Sequence, residues 1–80
     1  MISCQQYDYI ELACLKRLKV TIEMKDGDVV RGRCENTAIV DKQECLVLEQ
    51  ESQAVTVMLA GITSISADTD NPYFTTLRFQ

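Results

Sequence analysis

The chain has 80 residues, 46% of them hydrophobic and 25% charged, and twelve acids against eight bases give a net charge of −4. This balance is ordinary for a globular protein and disfavours disorder, and a chain of this length has room for one domain but not for a separate catalytic one. Because an acidic surface repels phosphate backbones, the charge disfavours a general nucleic-acid binder and favours a basic protein surface as the partner.

The N-terminal residues indicate a compartment. Met1–Gln6 has neither the basic start nor the apolar core of a secretion signal, and no stretch of the chain approaches the ~20 apolar residues of a membrane span. We therefore expect a cytoplasmic protein that does not enter membranes and that keeps its thiols reduced.

The four cysteines are Cys4, Cys14, Cys34 and Cys45, and the chain has no histidine. The spacing between the cysteines contains no C-x-x-C pair, so we predict no metal site, and nothing else in the sequence predicts a cofactor. We expect the cysteines to be buried and to behave as small hydrophobic residues.

A helix is predicted at about residues 5–16, and two starts are compatible with the sequence. Asp8 followed by Glu11 has the spacing of a capping box, with Asp8 as the N-cap. Ser3 followed by Gln6 has the same spacing and would begin the helix earlier.

The helix has an apolar side. Ile10, Cys14 and Leu18 recur at helical intervals, with Leu12 and Leu15 beside them. This arc is too broad for a partner alone to cover, so we expect part of it to pack against the strands that follow.

From Lys19 onward apolar and polar residues alternate with the period of strands. We predict strands at 20–25, 28–34, 45–50, 54–59 and 62–67, and a further C-terminal strand at about 73–79. Residues 37–40 either continue the second strand or begin the third.

Three local signals separate or bend the predicted strands. Asp26-Gly27 predicts a hairpin with a type I′ turn, because glycine tolerates a positive φ. Gly32 inside the second strand indicates a sharp bend or a bulge, and Gly61 interrupts the chain between two late strands.

One helix followed by five or six short antiparallel strands predicts a mainly β fold, a small barrel, with residues 1–80 forming one domain and residues 18–67 the barrel. At this size the OB barrel and the Sm-like barrel compete. The N-terminal helix, the Lys25-Asp26-Gly27 turn and the bent second strand favour the Sm-like barrel.

The sequence predicts no catalytic residues and no enzyme. Without histidine there is no Ser-His or Cys-His arrangement, and there is no phosphate-binding glycine loop. Asp26 and Asp28 bracket a tight turn, which favours a solvated hairpin tip over a paired-acid site.

The N-terminal run carries a family resemblance. Cys4-x-x-Tyr7-Asp8-x-Ile10-Glu11-Leu12-Ala13-Cys14, followed by Leu18-x-x-Thr21-x-Glu23-x-Lys25-Asp26-Gly27, resembles the Rho-binding antiterminator family, Rof. The resemblance covers roughly residues 2–67 and implies a bacterial, cytoplasmic Sm-like barrel preceded by a helix. It also implies a function: binding the N-terminal RNA-binding domain of the termination factor Rho, blocking RNA loading at the primary site, and so causing antitermination.

The resemblance places a set of residues at the surface that contacts Rho. The aromatic ring of Tyr7 would anchor the contact, and the carboxylates of Asp8 and Glu11 would bind basic side chains. The full set of predicted partner-binding residues is Tyr7, Asp8, Glu11, Gln5, Gln6 and Lys42.

Two points qualify these assignments. Gln5 and Gln6 stand where members of the family often carry acids, which removes negative charge from the expected contact. Arg31, Arg33 and Lys42 are the expected basic contributors from the barrel, although a solvated strand face and loop is the default interpretation of all three.

Other interpretations of these residues and of the whole chain are compatible with the sequence. A helix cap would explain Asp8 and Glu11 without any partner, and a hydrophobic contact within the helix would explain Tyr7. The chain as a whole could instead be an Sm-like RNA-binding or ring-forming protein, or an adaptor for another basic protein. We expect a monomer that does not bind nucleic acid directly.

Overall fold

The computed structural model describes residues 2–79. Within that range the chain forms helix α1 (Cys4–Leu15) and strands β1 (Lys19–Met24), β2 (Val29–Val40), β3 (Gln43–Gln50), β4 (Gln53–Met58), β5 (Ile62–Ala67) and β6 (Thr76–Arg78). A short 3-10 turn, Leu59–Gly61, joins β4 to β5. Nowhere between residues 2 and 79 does a helix have the length and apolar character needed to cross a membrane.

All six strands belong to one antiparallel sheet in the order β4-β3-β2-β1-β5-β6. The predicted fold class, a mainly β protein of antiparallel strands behind one helix, is therefore confirmed. The sheet does not close on itself, since β4 and β6 form its two edges. It is consistent with an Sm-like barrel only in this looser, open form.

Helix α1 begins at the earlier of the two predicted starts. Ser3 is the N-cap: its Oγ accepts a hydrogen bond from the Gln6 backbone N–H at 3.1 Å, and Gln6 Oε1 accepts one from the Ser3 N–H at 3.1 Å. The prediction of Asp8 as N-cap is wrong, because Asp8 lies inside the helix. The earlier start adds a turn, closed by the Tyr7 N–H donating to the Ser3 carbonyl at 2.9 Å.

The helix ends in a left-handed residue. The Arg17 N–H donates to the Cys14 carbonyl and the Leu18 N–H donates to the Ala13 carbonyl, the two bonds of a Schellman motif. Arg17 has φ 54° where glycine is usual, and its carbonyl accepts a hydrogen bond from Arg33 Nη1 at 3.0 Å. This reversal directs the chain from the helix into β1.

The hairpin between β1 and β2 forms at the predicted place but with a different turn. The Gly27 N–H donates to the Met24 carbonyl at 3.0 Å, so Lys25 and Asp26 occupy the centre of the turn. Gly27 alone has a positive φ there, 95°, whereas a type I′ turn at Asp26-Gly27 needs two positive values. The predicted type I′ turn is therefore wrong at this hairpin.

Type I′ geometry occurs instead at the next two hairpins, without glycine. Asp41 and Lys42 have φ of 50° and 65° and join β2 to β3. Glu51 and Ser52 have φ of 45° and 71° and join β3 to β4. Both are two-residue loops, whose twist matches that of the strands they connect.

Strand β2 is bent and pairs with two neighbours. Residues 29–33 pair with β1, and residues 33–40 pair with β3, with a register shift between Cys34 and Asn36. Gly32 allows a close approach of β3, because a Cβ at this position would lie 2.9 Å from the Glu49 carbonyl oxygen and 3.1 Å from the Leu48 Cβ. The predicted irregularity in this strand is present, but the bulge lies between Cys34 and Asn36 rather than at Gly32.

The core lies between α1 and the sheet. From the helix side, Ile10, Ala13, Cys14 and Leu18 are buried, while Leu15 is 73% exposed. The rest of the chain supplies the other buried residues of this core cluster: Val20, Ile22, Cys34, Leu46, Leu48, Val57, Leu59, Ile62, Ile65, Leu77 and Phe79.

The cysteines divide between core and surface. Cys14, Cys34 and Cys45 are buried and unbridged, as expected for small hydrophobic residues. Cys4, at the first position of α1, is exposed, so the expectation of burial is wrong for that residue.

The C-terminal segment docks within the same chain. Strand β6 pairs antiparallel with β5, with Leu77 opposite Ile65. Upstream of it, the Phe74 ring packs edge to face against the Tyr9 ring of α1, with centroids 6.2 Å apart. Helix and C-terminus therefore stabilise each other.

We predict that Gly32→Ala destabilises the fold by about 1–3 kcal/mol, because the new Cβ would meet backbone on β3 that cannot move without disturbing the sheet. Gly61→Ala is the matched control, since its Cβ would meet only the terminal methyl of Met24 at 3.1 Å, which can rotate away. Urea unfolding of both variants checks this, and equal midpoints would contradict it.

Candidate functional site

The outward face of α1 carries an exposed stripe that we call the acidic stripe: Cys4, Asp8, Glu11 and Leu15. Spacings of four, three and four residues place these side chains on one side of the helix, and all are exposed. Because Ser3 and Gln6 provide the cap, neither carboxylate is used as one. The helix contains these two acids and no base.

Tyr7 lies beside the stripe in a different environment. With Ser3 as the N-cap, Ile2 and Tyr7 occupy the two positions of a hydrophobic staple, and both are partly buried against the core. The predicted hydrophobic contact of Tyr7 is therefore at the start of the helix, on the side of Ile2. One side of Tyr7 packs inward, and the other lines an open groove.

This groove, which we call the tyrosine groove, has a volume of about 800 Å³. Its lining includes Tyr7, Leu59 and Phe79, together with Lys25 and Lys42. Lys42 reaches the groove from the tip of the β2–β3 hairpin. The structure therefore brings together Tyr7 and Lys42, which are 35 residues apart in the sequence.

The two glutamines predicted at the partner surface have different surroundings. Gln6 is engaged within the chain: its Nε2 donates to the Arg78 carbonyl at 2.7 Å, and its Oε1 accepts from the Ser3 N–H. Gln5 is exposed and lies one turn before Asp8. Gln5 is thus available at the surface, whereas Gln6 has a structural role.

The arginines expected to contribute lie elsewhere. Arg31 and Arg33 line a second groove of about 750 Å³ together with Lys19, and acids such as Glu49 and Asp68 lie among them. The second groove shares no lining residue with the tyrosine groove. Of the three expected bases, Lys42 joins Tyr7 and the two arginines do not.

Several residues of the tyrosine groove were not predicted from the sequence. Ile39 is 74% exposed, an unusual position for a large apolar side chain near a turn. Lys25 follows the first strand and Phe79 follows the last one, and both line the groove. The alternation of Tyr73–Phe79 predicted a strand, but it did not indicate which other elements Phe79 would contact.

Among residues 2–79, no three His, Cys, Asp or Glu side chains come close enough to hold a metal ion. What the described residues do provide is an exposed surface. It combines exposed carboxylates on a helix, an aromatic ring at the edge of an apolar groove and two lysines along that groove.

Comparisons with known proteins identify relatives. A family model described as modulator of Rho-dependent transcription termination (ROF) matches residues 1–79. The proteins named rof from Escherichia coli K12 and Shigella flexneri are each 35% identical over 65 residues, covering 81% of this chain and 77% of theirs. A solved structure, YaeO bound to magnesium from Vibrio cholerae O395, matches with a TM-score of 0.87 at 38% identity, covering 94% of this chain and 99% of that one.

We predict that Gln6→Ala lowers the free energy of unfolding by about 1 kcal/mol, because it removes one arm of the capping box and the bond to the Arg78 carbonyl. Gln5→Ala is the matched control on the neighbouring exposed position, and its effect should stay within about 0.5 kcal/mol. Thermal or urea unfolding of the two variants tests this. A Gln5 variant as unstable as the Gln6 variant would show that the hydrogen bonds of Gln6 have no special role in stability.

Proposed function

The chain belongs to the Rof family of modulators of Rho-dependent transcription termination, and on that premise we propose that it inhibits Rho by binding the N-terminal RNA-binding domain of Rho. In this proposal the protein covers the primary RNA site, so Rho fails to load on transcripts and termination falls. The family is a regulatory one and not a family of enzymes. A modulator of transcription termination works where bacterial transcription takes place, in the cytoplasm.

The observation that carries the proposal is the acidic stripe on α1. A protein surface that binds RNA phosphates is basic, and carboxylates form charge-assisted hydrogen bonds with the same Lys and Arg side chains. Asp8 and Glu11 are exposed on one face and are not used as caps. The net charge of −4 adds long-range attraction to such a surface.

The tyrosine groove supplies the second part of the proposed contact. Tyr7 adjoins the acidic stripe and is held from behind by the core, so binding costs little side-chain entropy. Lys42 would meet acidic or carbonyl groups of Rho on the far side of the groove. Gln5 would add hydrogen bonds next to Asp8.

We further propose that the protein acts as a monomer. A ring built by edge pairing needs two different free edges that repeat head to tail. One edge of the sheet is strand β4, which has six residues. At the other edge β6 pairs with β5, and β6 itself has only three residues. This asymmetry favours a monomer over the ring-forming alternative.

Direct RNA binding, the other alternative, finds less support. The basic residues of the second groove, Lys19, Arg31 and Arg33, lie among acids, and a mixed surface attracts a phosphate backbone only weakly.

The decisive variant is Asp8→Asn with Glu11→Gln, which keeps shape and removes two charges. In competition with fluorescent cytidine-rich RNA for Rho, the double variant should inhibit about tenfold less well, since each lost charge-assisted bond is worth about 1 kcal/mol or less at an exposed site. Inhibition of RNA-stimulated ATP hydrolysis should fall in parallel. The salt dependence of Rho binding should also become shallower.

The matched control for that experiment is Glu49→Gln with Glu51→Gln. Both residues are exposed and line the second groove, so the charge change is the same but lies away from α1. The control should inhibit like the parent protein, and both variants should unfold at the parent's temperature. If the helix variant inhibits as well as the parent, or if both variants lose inhibition equally, the acidic stripe is not the contact.

The oligomeric state and RNA binding are tested on the protein alone. We expect sedimentation as a monomer and no binding of cytidine-rich RNA at concentrations that inhibit Rho. A hexamer or heptamer, or RNA binding with a steep salt dependence, would favour the alternative reading.

A further inference from the structure

Strand β4 leaves one edge of the sheet open. Its six residues pair with β3 without a register shift, and no strand within residues 2–79 pairs with its other side. None of the six, from Gln53 to Met58, is charged or a proline. Natural sheet edges are usually kept from pairing with other chains by charges, prolines, bulges or very short strands. Strand β4 has none of these features.

The opposite edge is closed by the chain itself. Strand β6 has only three residues and includes a charged one, Arg78. The carbonyl of Arg78 accepts a hydrogen bond from Gln6 Nε2 at 2.7 Å, so this edge already has a partner from α1. Of the two edges, β4 is therefore the one that can pair with another strand.

The free backbone groups of β4 belong to alternate residues. Gln50 and Gln53 flank a two-residue hairpin loop and so exchange hydrogen bonds with each other. Because bonded and non-bonded pairs alternate along an antiparallel ladder, the N–H and C=O groups of Ala54, Thr56 and Met58 point away from β3. All three residues are exposed. A row of this kind binds an added strand through main-chain hydrogen bonds.

The core side of β4 is apolar. Val57 is buried in the core cluster, and Val55 lies two residues earlier on the same face and is half-buried. An added strand with apolar residues opposite these two valines would extend the core by one strand. Thr56 and Met58 alternate with them on the outer face, which suits threonine and a further apolar residue in the added strand.

Acids lie at the start of β4. Glu49 is opposite Ala54, and Glu51 is in the loop before β4, and both are exposed. Arg33 is on the far side of Glu49, in β2, and so lies further from the edge. A strand with basic residues at this end would gain charge-assisted contacts. A second copy of the chain has no base in β4 and a net charge of −4, so charge disfavours pairing of β4 with itself.

We propose that the β4 edge binds an extended basic segment of another protein, which joins the sheet antiparallel to β4. The backbone of the segment bonds to Ala54, Thr56 and Met58, and its alternate apolar residues cover the two valines. Antiparallel pairing places the C-terminal end of the segment beside the start of β4, where its bases meet the two glutamates. The edge lies on β4 and the acidic stripe on α1, so the proposal does not depend on what the stripe binds.

The test uses the full folded chain, labelled with nitrogen-15, and a capped peptide with the sequence valine-valine-threonine-valine-arginine-threonine-arginine. In the proposed register its first residue lies opposite Met58 and its first arginine opposite Ala54. We expect the largest changes in amide chemical shift, and the largest slowing of amide hydrogen exchange, at Ala54, Thr56 and Met58. A peptide of the same composition with both arginines at its N-terminal end should bind more weakly.

Variants decide the assignment. Thr56→Pro removes an outward N–H and leaves the bonds to β3, because proline is tolerated at a sheet edge where its nitrogen faces solvent. It should weaken peptide binding about tenfold, whereas Thr56→Val, the matched control, keeps the N–H and should bind like the parent. Glu49→Gln with Glu51→Gln should weaken binding about fivefold and make its salt dependence shallower.

Four results would overturn the proposal. These are no peptide binding at millimolar concentration, equal binding by Thr56→Pro and Thr56→Val, shifts centred on α1 or the tyrosine groove, and slow exchange of the outward β4 amides without peptide. The last result would show that a second copy already covers the edge. If Thr56→Pro does not fold, the double glutamate variant and the exchange measurement on the unaltered protein decide.

Discussion

The bend in β2 is the constraint on which the rest of the fold depends. One strand of twelve residues pairs with β1 along its first half and with β3 along its second half. The two pairings can share a strand only because it bulges after Cys34 and because Gly32 lets the backbone of β3 approach closely. Helix α1 covers the concave surface that results, and the apolar side of the helix is buried against it.

Because α1 docks on the sheet, its two sides have different functions. Its inner side supplies Ile10, Ala13 and Cys14 to the core. Its outer side is free to carry charge because capping is assigned to residues one turn earlier, so Asp8 and Glu11 have no structural duty that a partner would disturb. A single short element thus serves stability and recognition through opposite faces, and a substitution on one face need not affect the other.

The sequence predicted the helix and the strands more accurately than it predicted how they are arranged in the fold. Local alternation was sufficient for β5 at 62–67, and the apolar period of Ile10, Cys14 and Leu18 identified the buried side of the helix. The choice between the two capping boxes was not local, since both pairs have the same spacing. In the structure Ser3 and Gln6 form the capping box, and Gln6 also donates a hydrogen bond to the carbonyl of Arg78. The tyrosine groove is likewise a product of tertiary structure, because Tyr7, Lys42 and Phe79 come from three distant segments.

The hydrogen bond from Gln6 to Arg78 also has a consequence for synthesis of the protein. Its two partners are 72 residues apart. A ribosome makes the helix first, and the carbonyl that ties the helix start to β6 is added 72 residues later. The start of the helix therefore gains this bond only after strands β1 to β6 have been synthesised.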